Sequence, residues 1–209
     1  MVAADGPPPF DDPAYFFEPW WPGTRVIAFV ERGGLRLQAA ELVDVLGAFP
    51  ELSDLPQQVD ASDAILEGVV LVVDPAGRPD PGLLRRRLVG AGQRLGRPAF
   101  VATDVLWASG RRLARVRFAS RRERLGALLR TSDWCTVSRG YPAEGRALAA
   151  ACADLGFASL SAHRLDAPYR AGAASDAWVR VPIREPGADP VRLPPILAVF
   201  RRLPLGDAG

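Results

Sequence analysis

The sequence predicts an α+β domain, because signals for strands and signals for helices alternate along its 209 residues. Two strand-like runs at residues 25–31 and 35–38 flank the Gly33-Gly34 pair, which indicates a β-hairpin. A long β-branched run, Ala64–Val73, ends at an Asp-Pro-Ala-Gly turn. Because 48% of the residues are hydrophobic, the chain is able to bury a sizeable core and to fold alone.

Further strands are predicted over residues 100–107, 134–138, 158–163 and 177–181. Ser120 and Glu123 form an S-x-x-E capping box, and leucines at helical spacing follow them. We therefore expect a helix from this box to about residue 130.

A second helix is predicted from Pro142 to Gly156, since proline favours the first turn of a helix and glycine favours the end. Leu148, Cys152 and Leu155 lie at the spacing of one helix face. That face is expected to be buried.

The two ends of the chain differ from the middle. Residues 1–14 contain three consecutive prolines and three acidic residues, so we expect a mobile N-terminal arm. Residues 15–184 are predicted to form the folded domain. Residues 185–209 are rich in proline and glycine, and the apolar stretch 195–203 is expected to form a short helix.

Composition excludes several classes of protein. No stretch approaches 18 uninterrupted apolar residues, and the N-terminus lacks the pattern of a secretory signal, so we expect a cytoplasmic protein without a membrane partner. Cys135, Cys152 and His163 do not have metal-ligand spacing, so no metal site is predicted and the cysteines are expected to be buried. The net charge of +2 does not by itself indicate a nucleic-acid binder.

The chain contains no lysine, and all 26 of its basic side chains are arginines. Asparagine is absent as well, so a GC-rich genome would account for the general deficit. An enzyme whose chemistry needs one lysine nevertheless keeps that residue whatever its codon usage.

Six motifs follow one another along the chain. They are F-E-P-W-W-P-G-T-R at 17–25, F-P-E-L at 49–52, I-L-E-G-V-V-L-V-V-D-P-A-G-R-P-D at 65–80, D-V-L with G-R at 104–111, R-R-E-R-L-G-A-L-L at 121–129, and R-L-D-A-P-Y-R-A-G with S-D-A-W at 164–178. In this order they resemble the adenylation (nucleotidyltransferase) domain of ATP-dependent DNA ligases, in particular the bacterial non-homologous end-joining type. The resemblance covers about residues 15–184.

The resemblance implies a fold like that of DNA ligases and mRNA-capping enzymes, an ATP-grasp-like domain of antiparallel sheets flanked by helices. It also implies a family that uses ATP and Mg²⁺ and acts on nicked or broken duplex DNA. Family ligases carry a second, oligonucleotide-binding-fold (OB-fold) domain after the last motif. About 25 residues follow position 184, too few for such a five-stranded barrel, so no OB-fold domain is expected.

The family's chemical groups are missing from the matching positions. The first motif normally reads E-x-K-W-D-G-x-R, and its lysine amine attacks the α-phosphorus of ATP; Trp20 stands there and is not a nucleophile. Pro22, Val69 and Ala158 stand where the family has carboxylates, and Thr103 replaces the aromatic residue that stacks on adenine. We therefore predict no catalytic residue, no bound ATP or Mg²⁺, and an inactive enzyme.

Some family side chains survive by type. Glu18, Arg25, Asp104 and Arg180 match residues that contact the nucleotide in the family, and are the candidate cofactor-binding residues. Candidate nucleic-acid contacts are arginines, which neutralise phosphates. They are Arg111, Arg112, Arg115, Arg117, Arg121, Arg122 and Arg124.

Three functions remain open. The first is a catalytically inactive ligase-like domain that binds DNA ends or docks a repair protein. The second is a protein-interaction scaffold with no nucleotide or nucleic-acid role, in which Trp20 and Trp21 fill the old ATP cleft. The third is a nucleotide sensor or residual ligase that holds ATP through Arg25 and Arg180.

Overall fold

The computed structural model describes residues 1–90, 95–184, 193–196, 198, 199 and 203, which contain two β-sheets and three α-helices. The strands are β1 (Val2–Asp5), β2 (Asp12–Pro19), β3 (Thr24–Glu31), β4 (Gly34–Gln38), β5 (Ala64–Val73), β6 (Arg97–Ala108), β7 (Arg111–Arg112), β8 (Cys135–Val137), β9 (Tyr141–Ala143), β10 (Ser159–Arg164) and β11 (Ala174–Pro182). The helices are α1 (Pro81–Leu88), α2 (Phe118–Leu128) and α3 (Gly145–Asp154). Short 3-10 segments, Ala40–Leu42, Leu46–Ala48 and Pro50–Gln58, connect β4 to β5. The predicted α+β class is confirmed.

The first sheet has the strand order β1-β11-β10-β2-β9, and the second has the order β4-β3-β5-β6-β7, with β8 beside β6. The pairs β1 with β11 and β6 with β8 are parallel, and the other strand pairs are antiparallel. The expected antiparallel sheets are therefore present, and each gains one parallel strand.

Strand β5 is the centre of the second sheet, and it coincides with the predicted strand. Its alternate residues enter different cores: Val70 and Val72 pack in the first core, Leu71 and Val73 in the second. Burial on both faces explains why the sequence is a continuous apolar run rather than an alternating one. The β3–β4 hairpin is also confirmed, and Gly33 takes the positive φ of +89° that its turn requires.

The two cores hold the sheets and helices together. The first core lies between the second sheet, α2 and the Pro50–Gln58 segment, and the second lies between the two sheets and α3. Cys135 is buried in the first core and Cys152 in the second, as expected for structural cysteines. Burial raises the pKa of each thiol to about 12.

The prediction that residues 1–14 form a mobile arm is wrong. Val2–Asp5 form an edge strand of the first sheet, and the backbone N–H groups of Val2 and Gly6 donate to Ala173 and Arg180. Strand β2 begins at Asp12, inside the same segment. The edge of β11 offers unpaired backbone groups, and pairing with them outweighs the local preference of a proline-rich segment.

Helix α2 begins at Phe118, earlier than predicted, and Ser120 is not its cap. The first backbone N–H groups of the helix, those of Phe118 and Ala119, donate to the carbonyls of Ala167 and Leu165. Because a neighbouring loop satisfies these donors, no capping side chain is needed. The Ser120 hydroxyl instead accepts a hydrogen bond from Arg117.

Helix α3 begins at Gly145 rather than at Pro142, because Pro142 belongs to strand β9 and pairs with β2. The predicted buried face is confirmed, since Leu148, Cys152 and Leu155 all lie in the second core.

Most of the predicted tail, residues 185–209, lies outside the described residues. Within the described part, Ile196, Ala198 and Val199 have helical conformation, and Ile196 and Val199 are buried in the second core. The rest of the helix expected over 195–203 is not described. In the described part of the chain, every helix is too short or too polar to span a bilayer.

Candidate functional site

A partly open cleft lies where the two sheets meet, and residues from three of the six motifs line it. The first sheet contributes residues 18–21 from the end of β2, Ser161 and His163 from β10, and Trp178 from β11. The second sheet contributes Gly23 and Arg25, residues 67–69 of β5 and Thr103 of β6. The free volume of the cleft is about 70 Å³.

Four aromatic rings form a stacked column beside the cleft. The ring of Phe118 lies 4.5 Å from His163, His163 lies 5.4 Å from Trp178, and Trp178 lies 6.0 Å from Trp20, with interplanar angles of 4°, 13° and 26°. The guanidinium of Arg180 caps the column, 5.0 Å from the Trp20 ring, and its Nε donates to Ser159. Such ring pairs and cation–π contacts each contribute about 0.5–1.5 kcal/mol.

Trp20 and Trp21 have different surroundings. Trp20, in the position of the family's lysine, is half-buried in the aromatic column. Trp21 is buried in the second core, edge-on to Phe157, and its indole N–H donates to Ser138. Both rings line the cleft, but only Trp21 also belongs to the second core.

Three positions where the family has carboxylates offer no oxygen ligand here: Pro22, Val69 and Ala158. Val69 lies against Gly23, where even a Cβ on the glycine would come within 2.4 Å of the valine. Pro22 and Ala158 are exposed, and neither has a polar side chain. In the part of the chain described here, no group of three His, Cys, Asp or Glu residues could hold a metal ion. These residues do not fit a Mg²⁺-ATP complex.

Glu18 is the most deeply buried acid of the cleft, with no solvent exposure. Its Oε1 lies 3.2 Å from His163 Nε2 and its Oε2 lies 3.5 Å from Arg122 Nη2, which is ion-pair distance. Neither contact has hydrogen-bond geometry. His163 Nε2 lies closer to the Ser161 hydroxyl, at 2.9 Å, and Arg122 donates to the Thr103 carbonyl.

Arg25 is held by partners that the sequence motifs did not assign. Its Nε donates to Glu67 at 2.5 Å, its Nη2 donates to the Tyr169 hydroxyl, and its guanidinium lies 5.0 Å from the Trp178 ring. Burial works to lower the pKa of Arg25, but the charge of Glu67 raises it overall. Burial and Glu67 also raise the pKa of Tyr169. The sequence offered one indication of this role for Glu67, since its position matches the Asp of the family's L-D-G-E-L.

Asp104 is not brought into the cleft. It follows Thr103 in β6 and is buried, and its carboxylate accepts from both Nε and Nη2 of Arg121. Arg121 also donates to the carbonyls of Val116 and Ala167. Burial raises the pKa of Asp104, and the hydrogen bonds from Arg121 act against that shift. Of the four candidate cofactor residues, Glu18 and Arg25 line the cleft, Arg180 caps its aromatic column, and Asp104 belongs to a buried ion pair.

The arginines proposed to contact nucleic acid divide into two groups. Arg121 and Arg122 are committed to partners in the interior, so their assignment to a phosphate-binding surface is wrong. The other five are exposed on β7, the following loop and α2. They are Arg111, Arg112, Arg115, Arg117 and Arg124.

Comparison with known proteins gives relatives that are named as end-joining proteins or as DNA ligases. The chain is 28% identical over 164 residues to "Multifunctional non-homologous end joining protein LigD" of Mycolicibacterium smegmatis, which covers 78% of this chain and 21% of LigD. It is 32% identical over 167 residues to DNA ligase C1 of the same organism, covering 75% of this chain and 48% of that protein. It therefore spans about a fifth of the first relative and about half of the second. No protein-family model matches the chain.

The fold is also similar to a solved structure, "mycobacterial DNA ligase D complexed with ATP and MES". The TM-score is 0.74 at 26% identity, and the match covers 87% of this chain and 59% of the other.

Proposed function

Because the chain is homologous to the ligase domain of LigD, an ATP-dependent DNA ligase of the non-homologous end-joining type, we propose that this ligase-like adenylation domain is catalytically inactive. It serves instead as an accessory in DNA repair, binding DNA ends or a repair partner. The observation that carries the proposal is Trp20: an indole in the aromatic column stands at the position of the nucleophilic lysine.

The missing nucleophile is the first support. An indole nitrogen has no basic lone pair with which to attack phosphorus, and the chain contains no lysine to replace it. Loss of an essential nucleophile alone lowers kcat by about 10⁶. Because Pro22, Val69 and Ala158 also supply no carboxylate, a residual metal-assisted step lacks three of the family's oxygen ligands.

The size of the cleft is the second support. Sites for small molecules and cofactors have volumes of about 300–1,000 Å³, and this cleft has about 70 Å³. The cations that would face phosphates are also engaged: Arg25 pairs with Glu67, and Arg180 stacks on Trp20. This disfavours a nucleotide sensor.

The exposed arginines support a nucleic-acid role over a pure protein scaffold. The five that remain exposed lie within one continuous stretch, residues 111–124, and carry charge that a phosphate backbone would neutralise. The LigD relatives are named as end-joining proteins, which favours duplex DNA ends as the partner.

Incubation with labelled ATP and Mg²⁺, followed by a denaturing gel, tests the loss of chemistry. We expect no labelled band for this chain, beside a strong band for an intact LigD ligase domain. We also expect none for Trp20→Lys, because Pro22 and Val69 would still lack carboxylates. A labelled band from the natural chain would overturn the proposal.

Titration of nicked duplex DNA at two salt concentrations tests the accessory role. We expect binding that weakens steeply with salt and that is weaker still in an Arg111→Ala/Arg112→Ala variant. Arg146→Ala is the matched control, since Arg146 is exposed on α3 beside Asp11. Absence of binding even at low salt would favour the scaffold function.

A further inference from the structure

One face of the second sheet carries apolar side chains that belong to neither core. Along β3, alternate side chains of residues 26–30 enter the first core, so Phe29 lies on the opposite face. In β5, Ala64 and Leu66 enter the same core, so Ile65 lies on the opposite face as well. Neither Phe29 nor Ile65 belongs to the second core, and both are partly exposed. This part of the face is therefore apolar and reaches the surface.

The strand register places five side chains in one row across this face, which we call the cross-strand row. From β4 to β7, each is the direct partner of the next, and they are Arg36, Phe29, Ile65, Trp107 and Arg112. Residues that pair directly project to the same side of a sheet. Because neighbouring strands lie about 4.8 Å apart, the row spans about 19 Å from edge to edge. An exposed arginine stands at each end, with three apolar side chains between them.

Trp107 is held in the row by its polar edge. Its indole N–H donates to the carboxylate of Asp63, which fixes the orientation of the ring. Within the described residues, the ring makes no contact with another aromatic ring or with a cation. Trp107 is partly exposed and is not among the residues of either core. It is therefore an oriented aromatic side chain at the surface without a stacking partner.

Phe29 and Arg36 form a second flat unit of the row. The guanidinium of Arg36 lies 4.0 Å from the centroid of the Phe29 ring, and Arg36 is itself exposed. The guanidinium covers the ring and presents a planar cationic surface in its place. Nucleic-acid bases stack both on aromatic rings and on arginine planes. Trp107 and the Arg36–Phe29 pair thus offer two stacking surfaces on one side of the sheet.

The charges at the two ends of the row suit an anion. Arg36 and Arg112 have no ion-pair partner among the residues that the structure describes. Of the acids nearby, Asp63 accepts hydrogen bonds from Ser62 and Trp107, and Glu31 lies at the end of β3. Unpaired guanidiniums neutralise phosphates. Rings between two such arginines match a strand that has both bases and phosphates.

We infer that this face of the second sheet binds single-stranded nucleic acid, with bases stacked on Trp107 and on the Arg36–Phe29 pair and with a phosphate at Arg112. The inference goes beyond the binding of duplex ends and does not depend on it, because the bases of a duplex are stacked on one another. Single strands leave their bases available to the protein.

Fluorescence anisotropy of a short labelled oligo(dT), titrated with the full chain at low salt, tests the inference. An abasic oligonucleotide of the same length keeps the phosphates and removes the bases, so the comparison isolates stacking. We expect oligo(dT) to bind at least about tenfold more tightly than the abasic strand. Equal affinities, or no binding of oligo(dT), would overturn the inference in favour of a protein partner for this face.

Variants locate the bound strand. Trp107→Ala and Phe29→Ala should each weaken oligo(dT) binding by about tenfold, since each removes a stacking surface. Leu42→Ala, which truncates an apolar side chain that is 76% exposed outside the row, should leave it unchanged. Arg112→Ala should weaken binding more than Arg111→Ala, because Arg111 pairs with Ala108 and projects to the other side of the sheet. If Trp107→Ala does not fold, Phe29→Ala decides; native-like affinity in either folded variant would contradict the site.

Nicked duplex DNA separates this inference from the accessory role. Trp107→Ala should leave duplex binding unchanged while it weakens oligo(dT) binding, and equal losses for both would overturn the inference. Binding of oligo(dT) without any binding of duplex would contradict the accessory role alone. Oligo(rU) distinguishes the sources of the strand: tighter binding of one oligonucleotide identifies DNA or RNA, and equal binding supports a face that accepts both.

Discussion

Asp104 and Glu18 are both buried carboxylates near the cleft, but their surroundings differ. Asp104 receives two charged donors from Arg121 and a backbone N–H from Val105. Glu18 has Arg122 and His163 at ion-pair distance and no hydrogen bond from the described residues. The first is a finished structural pair, whereas the second lines a cleft with unused acceptors.

The two carboxylates show which interactions hold the fold together and which line the cleft. Asp104 and Arg121 join β6 to α2 and to the loop that caps α2, so they maintain the frame of the domain. In the cleft, Trp20 and Val69 stand at positions where the family has polar groups. Under the proposed function, the fold is retained and the chemistry is lost.

The largest expected effect is on the finished pair. Arg121→Ala should lower the free energy of unfolding by about 3–5 kcal/mol, because it leaves the carboxylate of Asp104 buried without its charged partner. Urea unfolding followed by circular dichroism measures this. Arg124→Ala, on the exposed face of the same helix, should stay within about 0.5 kcal/mol. Equal losses of stability in the two variants would show that the Arg121–Asp104 pair contributes no more than an exposed arginine.

The two buried thiols test whether the cores exclude water, in contrast to the open cleft. The pKa of Cys135 and of Cys152 is raised to about 12, whereas an unfolded thiol ionises near about 8.5. The unfolded state therefore loses protons first, and stability should fall above about pH 8.5, by up to about 1.4 kcal/mol per pH unit for each thiol. Chemical denaturation at pH 8 and pH 10 measures this fall.

The matched control is the Cys135→Ala/Cys152→Ala variant, whose stability should change less between the same two pH values. Native protein should also react with a thiol reagent only as fast as it unfolds. Rapid labelling of the folded chain would show that these cores are open to solvent.

A smaller effect is expected at the column. Trp20→Ala should lower the free energy of unfolding by about 1–2 kcal/mol, below the cost for a fully buried tryptophan, because the ring is only half-buried. Urea unfolding measures it, with Trp21→Ala as the comparison. The Trp21 variant should cost more, since that ring lies in the second core. A larger loss of stability for Trp20→Ala than for Trp21→Ala would show that the aromatic column stabilises the fold more than this part of the second core does.

The sequence predicted the strands and helices of the domain more fully than the contacts in the cleft. The β3–β4 hairpin and β5 follow from local turn chemistry and burial. The edge strand β1 and the early start of α2 do not, because distant backbone groups, those of Ala173 and Ala167, satisfy their donors. Local propensity carries no information about such partners.

At the cleft, alignment of residue types assigned positions but not partners. Matching by type identified Arg25 and Arg180 as candidate cofactor-binding residues, whereas in the structure Arg25 pairs with Glu67 and Arg180 stacks on the Trp20 ring. Arg121 and Arg122 belong to an arginine-rich run that indicated a surface, but helix periodicity turns both of them inward.

The smallest effect is expected at Glu18. Glu18→Gln should change the free energy of unfolding by less than about 1 kcal/mol, because no hydrogen bond is lost and a buried charge is removed. Asp104→Asn should cost several times as much. Urea unfolding of both variants measures the comparison, and similar losses would make the two carboxylates equivalent.

We propose that Trp20 and its column close the cleft to a nucleotide. Equilibrium binding of ATP with Mg²⁺, measured calorimetrically beside an intact LigD ligase domain, is the decisive test. We predict no detectable heat of binding for this chain at concentrations that saturate the intact domain. Stoichiometric binding of ATP to the natural chain, lost on addition of a competing nucleotide, would contradict it.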